Sequence, residues 1–490
     1  MSEDIFKSAV IHHGKKNFHK AKELYENLLK TNPKNLAILQ NYASLLSQIR
    51  EFKKADAIFK KCLEIKPNDY LLLYNYGKFF HDQKKFKEAI KFYNKSFKLN
   101  TKNHLAIYNM GNIYLAENKF IKAIASFKKA IEVNPSNFMA YNNVGIAYKK
   151  IGNFGDALKF YRQAIEKNKE YVDAHINYST MLLTTGKLKE GLEEYEWRKK
   201  SKSFSDYVGY QSLNLKSKTW YGENLNNKKI LVIAEQGIGD LIQFARYLYL
   251  LKSKYKTDII LKIKSYKFSH FFNSKDFKII TEDQLIPKHD YHIFMVSLPR
   301  ILFKSNEIFF KSVNFFQINE KIKTKWKIKL SEIQGIKVGI HWSTSSLMPE
   351  KNLPLENFLK LSKNLDSNFI VLQKDLNSSE IKNLSKNKNF FYFPEMDKSD
   401  KAFSDTIEIV RNLDLVITSD TAVAHLSATL NKKTWIALPH VADWRWFAET
   451  KKTRWYENVT LFRQEKIGNW LDVFENIKRN LKKELKKIKN

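Results

Sequence analysis

The chain has 490 residues, 43% hydrophobic and 28% charged, a globular balance with room for about three domains. Its one cysteine, Cys62, excludes an intramolecular disulfide and a cysteine-held zinc, and no apolar run approaches the roughly 18 residues of a membrane-spanning helix. Lys and Arg exceed Asp and Glu by 34, yet only ten of these basic residues are arginine and the excess is spread over both halves. Lysine is the poorer group for bidentate phosphate or base recognition, so solvated lysine faces are expected and nucleic acid is disfavoured as a partner. The opening Met1-Ser-Glu-Asp-Ile-Phe-Lys7 holds no apolar signal segment, and the expectation is a cytoplasmic protein.

A 34-residue period governs the first elements. Ala21 recurs as Ala55, Ala89, Ala123, Ala157 and Gly191, and Ala9 as Ala43, Gly77, Gly111, Gly145 and Ser179. Tyr25, Phe59, Tyr93, Phe127, Tyr161 and Tyr195 keep the same step, as do Pro33, Pro67 and Pro135. Small residues let two helices of one unit approach closely. The aromatic four residues after the second small position shares its helix face, and proline ends the second helix. Residues 2–205 therefore read as six stacked helix pairs. The pattern resembles the tetratricopeptide repeat family, which implies an all-α superhelix holding a protein or peptide in its groove. A spacer or dimerisation arm is the alternative. Asn75, Asn109, Asn142 and Asn143 either bond an extended peptide backbone there or face solvent. The sixth unit, about 172–205, departs at Gly191 and Arg198 and is expected to cap the array.

After a linker at 206–224 the pattern changes to short apolar runs: 229–234, 258–263, 277–280, 291–296, 337–341, 369–373, 413–418 and 434–438. Helical stretches separate most of them, and 297–335 is strand-poor. The reading is two Rossmann-like α/β lobes, 225–325 and 330–465, with a ligand cleft at the carboxyl ends of their strands and a basic helix at 466–490.

Two strand-to-helix turns carry candidate chemistry. In Glu235-Gln-Gly-Ile-Gly-Asp240-Leu-Ile-Gln243, Gly237 and Gly239 permit a tight turn and close ligand approach, while the third glycine of the dinucleotide fingerprint is missing. Asp240 is either a general base facing the cleft or, with Gln243, a capping residue. In Ser419-Asp420-Thr-Ala-Val-Ala-His425, a helix start bearing Asp420, Thr421 and Ala422 suits a diphosphate, with His425 one turn on. A capping Ser419 or Asp420 and a core histidine are the alternative.

These two segments, followed by Leu-Pro439-His-Val-Ala-Asp-Trp444-Arg-Trp446, resemble the C-terminal domain of bacterial repeat-bearing glycosyltransferases. That domain is similar to the ADP-heptose:lipopolysaccharide heptosyltransferases, of two-lobed GT-B fold. Repeats followed by such a unit are also similar in layout to the O-linked N-acetylglucosamine transferases. The resemblance covers about 220–470. It implies that Asp240 is the proposed base, and that Asp420, Thr421, Ala422 and His425 contact the diphosphate of a nucleotide-sugar donor. Ser343, Thr344 and Lys351 match a phosphate-contacting stretch. Ala422 stands where the heptosyltransferases carry glycine. Trp444 and Trp446 either stack on a base or sugar or pack in the core. With no Asp-x-Asp pair and no His/Cys cluster, neither a metal nor a cofactor is expected, and direct, inverting displacement is implied. Competing readings are a non-catalytic scaffold with a degenerate transferase domain, a nucleotide-binding oxidoreductase and a nucleic-acid binder.

Overall fold

The computed structural model describes residues 2–209, 213, 215–302, 314–343, 349–448 and 450–489, and the chain divides into two compact units, 1–174 and 175–490.

The first unit is all helical. Its helices pair as Ser2–Gly14 with Phe18–Thr31, Leu36–Gln48 with Phe52–Ile65, Tyr70–Asp82 with Phe86–Leu99, His104–Ala116 with Phe120–Val133, and Phe138–Lys150 with Phe154–Lys167. Asn17, Asn35, Asp69, Asn137 and Asn153 cap helix starts by accepting backbone N–H bonds. The column from Ala21 to Ala157 is fully buried, as are Tyr25, Tyr93, Phe127 and Tyr161. Gly111 shows why the other column is small: a Cβ there would lie 2.5 Å from the Phe127 ring. The turn between paired helices also repeats every 34 residues, with positive φ at Lys16, Arg50, Lys84, Asn118 and Gly152.

The second unit contains the sixth helix pair of the sequence pattern from residue 175 on, so the array does not end at one structural boundary. The pair is remodelled: its second helix, Leu188–Glu194, is half the usual length and runs into a tighter turn, Tyr195–Lys200. Leu183, Leu188 and Leu192 join the core of the α/β lobes, which is why it clusters there.

Two parallel sheets follow. The first has β1 Lys218–Thr219, β2 Lys229–Ile233, β3 Asp258–Lys262, β4 Lys278–Ile280 and β5 Tyr291–Phe294, in spatial order β1-β5-β2-β3-β4. The segment expected as linker, 206–224, thus supplies a strand, and Trp220 beside it is fully buried. The second sheet has β6 Lys337–His341, β7 Asn368–Val371, β8 Phe390–Phe391, β9 Leu415–Ser419, β10 Thr434–Leu438 and β11 Val459–Arg463, in order β11-β10-β9-β6-β7-β8. In each sheet the first long strand, β2 or β6, has its sequence successor on one side and a later strand on the other. This reversal of order opens a crevice at the strands' carboxyl ends. Helix Trp470–Lys489 lays Val473, Phe474, Ile477 and Leu481 against the second sheet and leaves Lys482, Lys483, Lys486 and Lys487 exposed. Among the described residues no helix is long and apolar enough to cross a membrane.

Candidate functional site

The two order reversals meet at one cavity of about 790 Å³. Gly237, Ile238 and Gly239, after β2, form one wall. His341 and Ser343 after β6, Lys351, and Asp420–Val423 after β9 form the opposite one. Leu372–Asp375 after β7, with Asp397, Ala402, Phe403 and Thr406, close the third. Of the residues expected from sequence, the cavity gathers Gly237, Gly239, Ser343, Lys351, Asp420, Thr421 and Ala422. Thr344 lies outside the described residues.

Helix Ala422–Thr429 begins in this cavity. Thr421 is its N-cap in extended conformation and makes no side-chain capping bond. Neither Ser419 nor Asp420 caps it; Asp420 is ion-paired with Lys351 Nζ at 2.7 Å. Burial works against the lysine's charge, but Asp420 and Asp443 outweigh it and hold the ammonium above its ordinary pKa. Gly239 serves packing as much as turning: a Cβ would lie 3.1 Å from the His425 ring and 3.7 Å from the Ala422 Cα. The helix starts after β2 and β9 can approach closely only because residue 239 has no side chain.

Four expected site residues do not line the cavity. Asp240 does not cap its helix, whose N-cap is Gly237, and does not line the cavity; its carboxylate is ion-paired with Arg445. Burial pushes the Asp240 carboxyl up, and Arg445 opposes that shift. Arg445 also donates to Asp443 at 2.7 Å and to Gln236 at 2.9 Å. His425 is buried beneath the glycine turn. Its Nδ1 is 3.0 Å from the Tyr456 hydroxyl and its ring stacks on Trp446 at 5.0 Å. Burial, then Arg445 and Arg246, lower its pKa well below the ordinary value, so it is a neutral core histidine and not a charge facing a leaving group. Trp444 and Trp446 are likewise core residues, Trp446 fully buried and Trp444 carrying the Arg445 guanidinium on its face at 4.4 Å. Neither is placed to stack on a ligand.

The sequence reading missed other members of the site. His341 ends β6, is buried against the cavity, and has its pKa lowered by burial to about 4; its Nδ1 is 3.4 Å from the Thr421 hydroxyl. Its position at a predicted strand's carboxyl end was the available signal. Asp375, Asp397 and Phe403 all have positive φ and all line the cavity. Backbone strain of this kind costs of order 1–3 kcal/mol per residue and concentrates at functional sites. Asp397 accepts from the Asp405 and Thr406 N–H groups at 2.7 and 3.3 Å, which fixes the third wall. No group of three His, Cys, Asp or Glu is placed to hold a metal among the described residues.

In the first unit, three of the four asparagines expected in the groove already have partners. Asn109 donates to Tyr74 and Asn143 to Tyr108, both at 3.1 Å, each reaching back to the previous repeat. Asn142 is buried rather than solvated, donating to Asn143 at 3.2 Å.

Three family models match the chain: a TPR repeat over 111–152, a tetratricopeptide repeat over 138–171, and the TT21 fifth ARM repeats domain over 7–115. Tetratricopeptide repeats thus run across the N-terminal half. The chain is 24% identical over 315 residues to Protein FlbA of Caulobacter vibrioides, a match taking in 60% of this chain and 52% of FlbA. The chain therefore spans about half the length of that curated relative. Because 60% of the chain exceeds what the repeats occupy, the likeness continues beyond them. Among solved structures, MamA is 24% identical with a TM-score of 0.31, covering 34% of this chain and 92% of MamA. The Pseudomonas aeruginosa pilF structure is 18% identical with a TM-score of 0.37, covering 43% of this chain and 96% of pilF.

Proposed function

We propose that the repeat half binds a protein or peptide segment and that the α/β unit binds a nucleotide-type diphosphate ligand in its cleft. The family matches concern the repeats, and they support a partner-binding scaffold better than they support catalysis. One observation carries the ligand half. The cavity sits where both parallel sheets reverse their strand order, and it receives an uncapped helix start and a lysine together. Backbone N–H groups, the helix dipole and Lys351 suit two phosphates, and the third wall leaves room for a nucleoside.

A second reading, transfer of a sugar from a nucleotide-sugar to the bound protein or a glycan acceptor, draws on the resemblance of the two turns to glycosyltransferases. The same helix start and Lys351 would then stabilise the departing diphosphate without a metal. Asp240 serves as base only if an acceptor hydroxyl reaches it and Arg445 yields, since the pair occupies that carboxylate. Its upward-shifted carboxyl suits the role once unpaired.

Calorimetry of the full chain with UDP, GDP, ADP, CDP and dTDP tests the ligand half. Mass spectrometry of cell-extract proteins incubated with the matching nucleotide-sugar tests transfer. Binding without transfer selects the scaffold, and a sugar-sized mass increment dependent on the chain selects the transferase. No binding by any of the five removes the cleft assignment.

A further inference from the structure

In the 34-residue register, Arg198 occupies the column of Leu28, Cys62, Ser96, Ala130 and Ala164, all buried. Where five repeats place small or apolar side chains, the sixth places an arginine that is also buried, at 4% exposure. A charge is not retained in such a place without partners; Glu196 and the Tyr195 carbonyl are local, and the others lie on the α/β lobes. The guanidinium donates to Glu235 and to Ser297, both at 2.9 Å, and to Glu196 at 2.9 Å. Glu235 is the first residue of the glycine turn that walls the cavity, and its carboxylate also accepts from the Val296 N–H at 3.2 Å. The next residue, Gln236, donates to the Tyr195 hydroxyl at 3.0 Å and accepts from Arg445. The same repeat reaches the other side of the cleft as well. The Ala448 N–H donates to the Thr184 carbonyl at 2.9 Å, and Arg454 reaches the Gly186 carbonyl, both from the stretch after β10 that carries Arg445.

We propose that the sixth repeat is a strut of the ligand-binding unit, in which Arg198 and Tyr195 are positioning residues that hold the Glu235–Gly239 turn in its ligand-ready shape. The shortened second helix fits this role. Running the segment into the tight turn Tyr195–Lys200 turns Arg198 away from a following repeat and toward β2. Coupling of this kind is reciprocal: a ligand that orders the glycine turn stabilises the terminal repeat by the same free energy. Only the nucleotide arm of the test below rests on the cleft assignment.

The test is amide hydrogen exchange on the full chain at Asp240 and Leu241, whose N–H groups bond the Gly237 carbonyl at 3.0 and 3.1 Å. Arg198→Met should speed exchange there at least tenfold, and Arg198→Lys, which restores charge but not the fork, should fall between. Arg454→Ala, which loosens the same repeat without touching the turn, should leave these amides at the wild-type rate. Exchange in Arg198→Met within twofold of wild type overturns the proposal. So does equal loosening by Arg454→Ala, which would make the contact bulk docking. If Arg198→Met does not fold, Tyr195→Phe replaces it, removing one hydroxyl; exchange at Asp240 should then rise about threefold, and no change overturns the strut. In parallel, UDP and ADP affinities are measured. A wild-type chain that binds neither removes UDP and ADP as occupants of the cleft, while the exchange result still decides the strut. A tenfold loss in Arg198→Met supports both.

Discussion

The carboxylate of Asp240 and the guanidinium of Arg445 form an ion pair that ties the glycine turn after β2 to the stretch after β10, across the two lobes. Both side chains are largely buried, 19% and 10% exposed, so the pair is more than a surface contact. Asp240→Asn keeps an amide oxygen beside Arg445 but removes the charge, leaving Asp443 as its one carboxylate partner. Leaving a buried guanidinium partly uncompensated costs about 1–3 kcal/mol. The melting temperature of the full chain should therefore drop measurably, by a few degrees. A capping role would predict no change, since Asn caps as well as Asp. An unchanged melting temperature would mean that Asp443 alone satisfies Arg445.

Lys84 sits in the left-handed region at φ 59°, in the column where Gly152 and Gly186 occupy the same turn. A side chain in that conformation costs roughly 1 kcal/mol, and glycine avoids it. Lys84 is exposed, so nothing of packing is lost. Lys84→Gly should raise the stability of the array by about 0.5–1 kcal/mol, read as a higher urea midpoint, and Gly152→Ala should lower it by a similar amount. Equal midpoints would show that the turn is not strained.

The repeats were legible because one 34-residue step writes small residues, aromatics and turn positions into the chain together. Continuous apolar runs likewise announced the buried strands β2, β3, β5, β6, β9 and β10 to within a residue or two. β1 and β8 were not legible, being two residues each and set by pairing rather than by pattern. β11 escaped because Val459-Thr-Leu-Phe-Arg463 holds only three apolar residues, broken by Thr460, and so forms no continuous apolar run. At the site, turn positions were readable and side-chain partners were not. Asp420, Thr421 and Lys351 line one cavity. His425, Trp444 and Trp446 were drawn into the core by contacts between distant segments, such as Gly239 against His425. No local spacing encodes such contacts.

His341 gives the cleft a pH dependence whose sign is fixed by burial. Its pKa is about 4 in the folded chain and 6.5 ordinarily. Below pH 6.5 the unfolded chain takes up a proton that the folded one refuses until about pH 4. Stability therefore falls across that window and levels off beneath it. The full difference corresponds to about 3 kcal/mol. His341→Gln, which cannot titrate, should flatten the decline in melting temperature between pH 6.5 and 4 relative to wild type. Parallel declines in the two proteins would show that His341 is protonated without unfolding.

Lys351 and Asp420 face the cavity as a pair, and the two substitutions together separate their roles. Lys351→Met removes the cation and leaves a 7% exposed carboxylate beside the helix start, which should lower the melting temperature. Adding Asp420→Asn removes the stranded charge and should recover most of that loss. Ligand affinity should behave otherwise. A charge-assisted bond to phosphate is worth about 1.5–3 kcal/mol, so the single variant should bind a nucleoside diphosphate at least tenfold more weakly. Repulsion from Asp420 adds to that loss in the single variant, and the double variant escapes the repulsion but still lacks the donor. Calorimetry on the three proteins should thus rank wild type above the double variant and the double variant above the single. Full recovery of affinity in the double variant would mean that Lys351 serves only to neutralise Asp420 and never touches the ligand.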